Sequence, residues 1–322
     1  MVSRRCGRWP SSVLPIDHGL ADPESDQAAW AAVVVNYEAG PLLVDCVRSV
    51  LADTSAGPVD LVVVDNGSQD GSIADLVAAI ADVRVVRAPG NVGYARAANL
   101  GTAATNAPIV AVLNPDTVLE TGAARALVDR LLDEPRLAAC GPRLCNLDGT
   151  DYPTGRTFPS IPVAVGHGLL GLWWPRNPFT VRYRQLNADP GVPRLVDWVS
   201  GAAIWLRRAA LDQVGGWDER YFMYVEDTDL CWRLRHAGWE VAYEPAAVVV
   251  HAQGASASRR PYRMLLEHHR SAWRYAQDRL TGSRAVLLPL AAVYFAVRAL
   301  LAMGAHAWRS SQSSSPSSHA DG

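Results

Sequence analysis

The chain has 322 residues, 49% of them hydrophobic, which is enough for one large α/β domain with an appended segment. Its 30 basic residues, all arginine, nearly balance 32 acidic residues for a formal net charge of −2. This balance argues against a nucleic-acid-binding protein that depends on bulk positive charge. The missing lysine excludes a P-loop NTPase of the usual design. No Gly-x-Gly-x-x-Gly follows the first apolar run, and no Gly-x-Ser-x-Gly occurs, which argues against a nicotinamide dehydrogenase and an α/β-hydrolase.

The cysteines and the amino terminus predict a reduced, cytosolic protein. The cysteines are odd in number and lack the spacing of a zinc site, so we expect free thiols. They are Cys6, Cys46, Cys140, Cys145 and Cys231. The first nine residues are rich in arginine but precede no apolar run, so they do not predict a secretory signal.

Short apolar runs and helical spacings alternate through the first half of the chain. The pattern predicts strands over residues 31–35, 60–65, 83–87 and 109–113, separated by helices over 41–51, 72–80 and 91–102. Further strands are expected over 198–206 and 240–250, whereas residues 140–200 give no assignable pattern. Strands and helices that alternate in this way are typical of a doubly wound, mostly parallel sheet.

Polar residues follow three of these strands at the point where each one ends. They are Asn36-Tyr37, then Asp65 with Asn66-Gly67-Ser68, then Asn114-Pro115-Asp116. Each group alone is ordinary turn chemistry. Ligands of parallel sheets bind beyond the carboxyl ends of the strands, so three such groups in succession favour a binding edge.

Three carboxylates, Glu226, Asp227 and Asp229, lie within four residues at the start of a predicted helix. Such a cluster is costly to bury, so it predicts a pocket that handles a proton, a metal ion or a sugar hydroxyl. The alternative is that Asp227 or Thr228 is simply the helix N-cap. In either case we expect the helix dipole to keep Asp227 ionised.

The segment 256–309 differs from the rest because it is basic and partly apolar. It carries nine arginines against Glu267 and Asp278, and residues 285–297 contain no charge. Arg298 interrupts the apolar stretch, which favours a helix lying in a membrane surface. A transmembrane helix and a buried or partner-binding helix remain alternatives.

Taken together, the motifs resemble family 2 glycosyltransferases with the GT-A fold, in the rhamnosyltransferase branch. The matching segments run in family order over residues 30–255: Val35-Asn36-Tyr37, Val64 to Ser72, Asn91 to Asn99, Leu113 to Asp116, Gly215 to Arg233 and Val250-His251. The resemblance implies four regions. They are a disordered tail over 1–28, a GT-A domain over 29–255, a helical membrane-associated extension over 256–309, and a disordered tail over 310–322.

The same resemblance implies an inverting, metal-dependent enzyme at the cytoplasmic face of the plasma membrane. L-rhamnose from dTDP-L-rhamnose, or another nucleotide-sugar donor, would be transferred to a polyprenyl-diphosphate-linked N-acetylglucosamine, with Mg²⁺ or Mn²⁺ as cofactor. UDP-galactofuranose and GDP-mannose are the alternative donors. A nucleotide-sugar-binding protein without catalytic activity is an alternative from another class.

Site residues follow from the resemblance position by position. Asp227 is the expected catalytic base, and Asp116 and His251 are the expected metal ligands. The expected acceptor pocket contains Glu226, Asp229 and Trp217. The expected donor-binding residues are Asn36, Tyr37, Asp65, Asn66, Gly93, Arg96 and Asn114.

Asn114 departs from the family pattern because it stands where the Asp-x-Asp motif has its first aspartate. Asparagine keeps an oxygen ligand but loses the charge, so we expect weaker metal binding. Three other positions have simpler alternatives: a plain turn for Asp65, a strand-end histidine for His251 and a surface helix position for Arg96.

Overall fold

The computed structural model describes residues 28–253 and 261–313. The strands are β1 (Trp30–Asn36), β2 (Val59–Asp65), β3 (Arg84–Arg87), β4 (Ile109–Leu113), β5 (Thr117–Leu119), β6 (Leu137–Cys145), β7 (Asp151–Tyr152), β8 (Gly155–Arg156), β9 (Arg194–Val196), β10 (Trp198–Val199), β11 (Ala203–Arg207) and β12 (Glu240–His251). The α-helices are α1 (Leu42–Ala52), α2 (Ser72–Ala79), α3 (Tyr94–Ala103), α4 (Ala123–Asp133), α5 (Ile161–Leu170), α6 (Pro178–Tyr183), α7 (Arg208–Gln213), α8 (Glu226–His236), α9 (Pro261–Arg279) and α10 (Leu288–Ser313). Short 3₁₀ helices lie at Thr54–Ala56 and Gly282–Leu287.

One large sheet organises the described part of the chain, with the strand order β3-β2-β1-β4-β11-β6-β12-β5. The first four strands in this order are parallel, which confirms the alternating strands and helices expected for the first half. Strand β11 runs antiparallel between β4 and β6, and β12 returns parallel to β6. The sheet is therefore mixed: the predicted parallel pairing holds from β3 to β4 and recurs between β6 and β12, whereas the other pairings are antiparallel.

The core lies on both faces of this sheet because the central strands are apolar throughout. In β1, Ala32 and Val34 pack on one face with α1, α2 and α4. Val33 and Val35 pack on the other face with α3, α7 and α8. This alternation is the period of two expected of a strand buried on both faces. It leaves the carboxyl ends of β1, β2 and β4 at one shared edge.

The single strand expected over 198–206 is wrong, because a turn divides it into β10 and β11. Gly201 lies in that turn, and its N–H donates to the Asp227 carboxylate at 2.9 Å. Residues 140–200, which gave no pattern, contain the end of β6, four short strands and the helices α5 and α6.

The cysteine prediction is confirmed in part. Cys46, Cys140 and Cys231 are free and buried. Cys145 takes part in a disulfide, so the expectation of a free thiol is wrong at that position. Cys6 and most of both predicted disordered tails lie outside the described residues, and α10 continues to Ser313.

The helices α9 and α10 form an antiparallel extension whose apolar surface is largely uncovered. They pack against each other, and α10 also touches α5, because the Tyr294 hydroxyl donates to Ala164 O at 3.1 Å. Among the described residues one helix, Gly282–Ala307, is long and apolar enough to cross a membrane by length and composition. Arg298 does not point away from the protein, since its Nε donates to Gly168 O at 3.1 Å.

Candidate active site

A cavity of about 1010 Å³ opens at the carboxyl edge of the parallel strands. The predicted site residues that line it are Tyr37, Asn66, Gly93, Asn114, Asp116 and His251. The opposite wall comes from the segment before α8, with Phe222, Met223 and Tyr224, and from Arg263 and Met264 of α9. The cavity therefore joins the polar ends of the strands to the segment that carries the carboxylates.

Hydrogen bonds between neighbouring strand ends fix the loops on the sheet side. Asn36 and Asp65 are register partners in β1 and β2, and Asn36 Nδ2 donates to the hydroxyls of Ser68 and Ser72 at 3.0 Å each. Asp65 accepts from Ser68 N at 2.9 Å and pairs with Arg87 at 3.0 Å. Asn36 and Asp65 are buried and do not line the cavity. They hold in place the loop that lines the cavity.

Two glycines allow backbone segments to meet at the cavity wall. Gly93 has φ +90°, and a Cβ there would lie 2.6 Å from Phe222 O. Gly67 has φ +81°, and a Cβ there would lie 2.7 Å from the Gly90 carbonyl carbon. Side chains at either position would force these loops apart.

The two predicted metal ligands lie together at the end of the cavity formed by β4 and β12. His251 Nε2 is 3.2 Å from Asp116 Oδ1, and both residues are buried. The other imidazole nitrogen, Nδ1, is buried and has no hydrogen-bond partner among the described residues. A carboxylate oxygen and an imidazole nitrogen, with the Asn114 amide on the same wall, suit a divalent cation.

Two adjacent carboxylates at the start of α8 differ in their exposure to solvent. Glu226 is buried and its Oε2 has no partner in the described part of the chain, whereas Asp227 is partly exposed. Asp227 Oδ2 accepts from Gly201 N, and Oδ1 accepts from Thr228 N at 2.7 Å. These N–H groups orient the carboxylate.

Burial decides the acidity of both carboxylates. It raises the pKa of Glu226 well above its ordinary 4.5, and the charge of Asp227 adds to this effect. Burial also raises the pKa of Asp227, opposed by the Gly201 N–H and by Arg156. The expected ionisation of Asp227 at the helix start stays a prediction, because burial and the N–H donors act on it in opposite directions. The N-cap alternative is wrong, since the N-cap is Val225 with φ +69°.

Tyr94, which sequence reasoning did not single out, links the cavity to these carboxylates. It lines the cavity, and its hydroxyl donates to Gly201 O at 2.8 Å. Burial and the charges of Glu226, Asp227 and Asp116 raise the pKa of Tyr94 well above its ordinary 10.0. Its place directly after Gly93, at the first position of α3, was the available signal.

Besides Asn36, Asp65, Glu226 and Asp227, which do not line the cavity, three predicted site residues have their partners elsewhere in the protein. Asp229 is buried and pairs with Arg233 at 2.7 Å and Arg279 at 2.6 Å. Trp217 belongs to the core, edge to face with Tyr94. Arg96 is exposed on α3, 3.6 Å from Glu219, so the structure does not bring it to a diphosphate site.

A second missed residue is Arg156, which is buried beside Asp227. Its guanidinium carbon lies 4.7 Å from the Trp198 ring centroid, and Nη2 donates to the Tyr152 hydroxyl at 2.8 Å. The residue falls in the segment that gave no pattern, so only its isolated charge could have drawn attention to it.

Comparisons with known proteins agree with this geometry. Residues 28–276 match the family described as glycosyltransferase like family 2. Over 261 residues the chain is 40% identical to N-acetylglucosaminyl-diphospho-decaprenol L-rhamnosyltransferase of Mycobacterium tuberculosis, covering 78% of this chain and 84% of that protein.

Two solved structures share the fold. One is a mannosyltransferase from Pyrobaculum calidifontis in complex with GDP-Man and Mn²⁺ (TM-score 0.51, 19% identity, 88% of this chain and 81% of that one). The other is GalNAc-T7 with UDP, GalNAc and Mn²⁺ (TM-score 0.55, 15% identity, 77% of this chain and 48% of that one). At these identities the likeness concerns the fold alone, and it confirms the predicted GT-A fold class.

Proposed function

The chain belongs to glycosyltransferase family 2, and from that premise we propose that it is an inverting, metal-dependent rhamnosyltransferase. It transfers L-rhamnose from dTDP-L-rhamnose to an N-acetylglucosamine that a diphosphate links to a polyprenol. The mycobacterial relative is named for both the sugar and the lipid-linked acceptor, which supports this choice.

The observation that carries the proposal is the arrangement around one cavity. The ends of β1, β2 and β4 line one side, as expected for a nucleotide. Asp116 and His251 meet at 3.2 Å on the same wall. The partly exposed Asp227 is linked to the cavity through Gly201. The Gly201 carbonyl accepts from the hydroxyl of Tyr94, which lines the cavity, and the Gly201 N–H donates to Asp227.

In the proposed reaction Asp227 accepts the proton of the attacking acceptor hydroxyl. The hydroxyl oxygen bonds to the anomeric carbon of rhamnose while the bond from that carbon to the diphosphate oxygen breaks, and dTDP leaves. Attack opposite the leaving group inverts the anomeric centre. Asp227 suits the role of base better than Glu226 because it is partly exposed and its oxygens are oriented by N–H donors.

The proposal includes Mg²⁺ or Mn²⁺ held by Asp116 and His251, with Asn114 beside them. When bound, such a cation neutralises charge that develops on a diphosphate leaving group. The Nδ1 of His251, which has no hydrogen-bond partner in the described part of the chain, and the chemistry of the donor set support this assignment.

A membrane surface is the proposed location because the acceptor is a lipid. Exposed apolar side chains lie on both α5 and α10, and Trp173 and Trp174 follow α5 with 66% and 55% of their surface exposed. Arg298 points into the protein, so the exposed face of α10 remains apolar. These features support a helix that lies in the interface on the cytoplasmic side, where nucleotide sugars are available.

The test is transfer of labelled rhamnose from dTDP-L-rhamnose to polyprenyl-diphosphate N-acetylglucosamine with Mn²⁺ or Mg²⁺. A labelled lipid product is expected, and its loss with a chelator checks the metal. If product forms with UDP-galactofuranose or GDP-mannose and not with dTDP-rhamnose, that nucleotide sugar is the donor instead. Donor binding without transfer to any acceptor would favour a protein that only binds nucleotide sugars.

A further inference from the structure

Positive charge gathers on the side of Asp227 that faces α5 and α10. Arg156 is buried among Tyr152, Tyr183 and Trp198, with its guanidinium carbon within 6 Å of each ring centroid. Its side chain donates to the Tyr152 hydroxyl and to Pro153 O. These neutral partners fix the guanidinium without neutralising it.

Arg184 adds a second cation to this cluster. It follows α6 directly, and its Nε is buried without a hydrogen-bond partner within the described ranges 28–253 and 261–313. Neither Arg184 nor Arg156 forms an ion pair with a described residue. Burial and the charge of Arg156 lower the pKa of Arg184. A guanidinium that is partly desolvated beside another cation is costly unless an anion joins them.

The histidine on α5 reports the same excess of positive charge. His167 lies 4.7 Å from the Tyr183 ring and accepts or donates a hydrogen bond at Thr180. Burial and the charges of Arg184, Arg298 and Arg156 lower its pKa to about 4. The three arginines therefore share one neighbourhood, and Asp227 at its inner end is the carboxylate that acts on Arg156.

The position of this cluster fits one ligand. Its outer end meets α5 and α10, where Arg298 Nε donates to Gly168 O and the neighbouring helix surfaces are apolar and exposed. Its inner end meets the proposed catalytic base. An acceptor whose sugar lies at Asp227 and whose lipid lies on α5 and α10 must pass its diphosphate between them.

We propose that Arg156 and Arg184 form a subsite for the diphosphate of the lipid-linked acceptor, an inference that rests on the proposed function. Planar guanidinium groups bind phosphate oxygens through two parallel N–H bonds, and aromatic rings hold Arg156 ready to do so. This subsite is separate from the donor diphosphate, which belongs to the Asp116 and His251 end of the cavity.

The test compares Arg184→Gln with Arg182→Gln, a matched control two residues earlier, near the end of α6, whose side chain is exposed. Two acceptors are used: N-acetylglucosamine linked by a diphosphate to a short polyprenol, and an alkyl N-acetylglucosaminide without phosphate. We expect Arg184→Gln to raise the KM for the diphosphate acceptor by about tenfold, the typical effect of one charge-assisted hydrogen bond. The KM for the donor and the transfer to the alkyl glycoside remain unchanged. Arg184→Lys, which keeps the charge, recovers most of the loss.

Two results would overturn the subsite. One is an equal loss with both acceptors, and the other is the same loss in Arg182→Gln. Binding to vesicles of phosphatidylglycerol or phosphatidylcholine without acceptor separates a lipid headgroup from the acceptor. Weaker binding of Arg184→Gln to phosphatidylglycerol alone, with an unchanged acceptor KM, would assign the cluster to the headgroup instead.

The failure of the subsite is distinguishable from the failure of the proposed function. If the parent enzyme is active and Arg184→Gln has the same KM for the diphosphate acceptor, only the subsite is refuted. A parent enzyme that is inactive with both acceptors refutes the proposed function, and the subsite with it.

Discussion

Asp227→Asn and Asp229→Asn make the same chemical change two residues apart on α8, and we expect opposite results. In Asp227→Asn the proposed base is lost, while Tyr37, Asn66 and the other residues of the donor cavity are untouched. Loss of a general base lowers turnover by about 10²- to 10⁴-fold. Donor affinity should not change.

The cost of Asp227→Asn to stability is modest. The carboxylate accepts from Gly201 N on one oxygen and from Thr228 N on the other. Asparagine has one acceptor oxygen, so one N–H would face its NH₂ group, at a cost of about 1–2 kcal/mol. A domain of ordinary stability stays folded after such a loss.

Asp229→Asn should instead lower the stability of the protein to unfolding. The Asp229 side chain is 2% exposed and pairs with Arg233 and Arg279. Removing its charge takes from Arg233 and Arg279 the carboxylate with which each forms an ion pair, and breaking a buried pair costs about 3–5 kcal/mol. The arginines are 22% and 17% exposed, so we expect the lower end of this range and a fall in Tm on the order of 10 °C.

The assays are transfer of labelled rhamnose, donor binding by calorimetry, and thermal unfolding. Asp227→Asn with more than about a tenth of the parent turnover would contradict the assignment of the base. If turnover per folded molecule falls as much in Asp229→Asn as in Asp227→Asn, the division of roles between the two faces of α8 is refuted.

Three further predictions concern the metal, the buried acid and the membrane surface. Asn114→Asp restores a charge beside the proposed metal site, so half-maximal activity should need several-fold less Mn²⁺ in a metal titration. Glu226 has a raised pKa in the folded state, so its ionisation destabilises the fold increasingly as pH rises above the ordinary 4.5. Glu226→Gln should therefore raise the free energy of unfolding at pH 8 and not at pH 4, as urea denaturation would measure. Leu290→Ser with Leu300→Ser removes two exposed apolar side chains of α10 and should weaken vesicle binding by about tenfold or more, whereas Val77→Ser, at an exposed position on α2, should not change it.

The first half of the fold was predictable because local sequence and tertiary environment agree there. Strands β1, β2 and β4 are short β-branched runs buried on both faces, and a turn or cap signal follows each of them. The polar residues at their ends could be assigned to one edge because parallel strands share direction.

Strand β6 could not be predicted from local preference. It contains Gly141-Pro142, and proline in a central strand argues against a strand because it cannot donate to its neighbour. The structure accommodates Pro142 opposite Glu244, where β12 has an irregular register before Val248. Only the tertiary pairing with β11 and β12 determines this element.

The carboxylate cluster was predicted as one group, but the structure gives its members different partners. An α-helix turns by about 100° per residue, so positions two apart point to nearly opposite sides. Asp227 therefore faces Gly201 while Asp229 faces Arg279. Closeness in sequence suggested one pocket, whereas helical geometry divides the carboxylates between the site and the extension.

This division also links α8 to the helices that carry the proposed membrane surface. Asp229 ties α8 to α9 through Arg279, and α9 packs against α10, which carries the exposed apolar face. The Ser271 hydroxyl of α9 also donates to Met223 O, in the segment that lines the cavity, at 2.8 Å. The proposed base and the proposed membrane surface thus lie on packed, ion-paired helices. Since neither can shift without breaking buried contacts, the packing fixes the position of Asp227 relative to the proposed membrane surface.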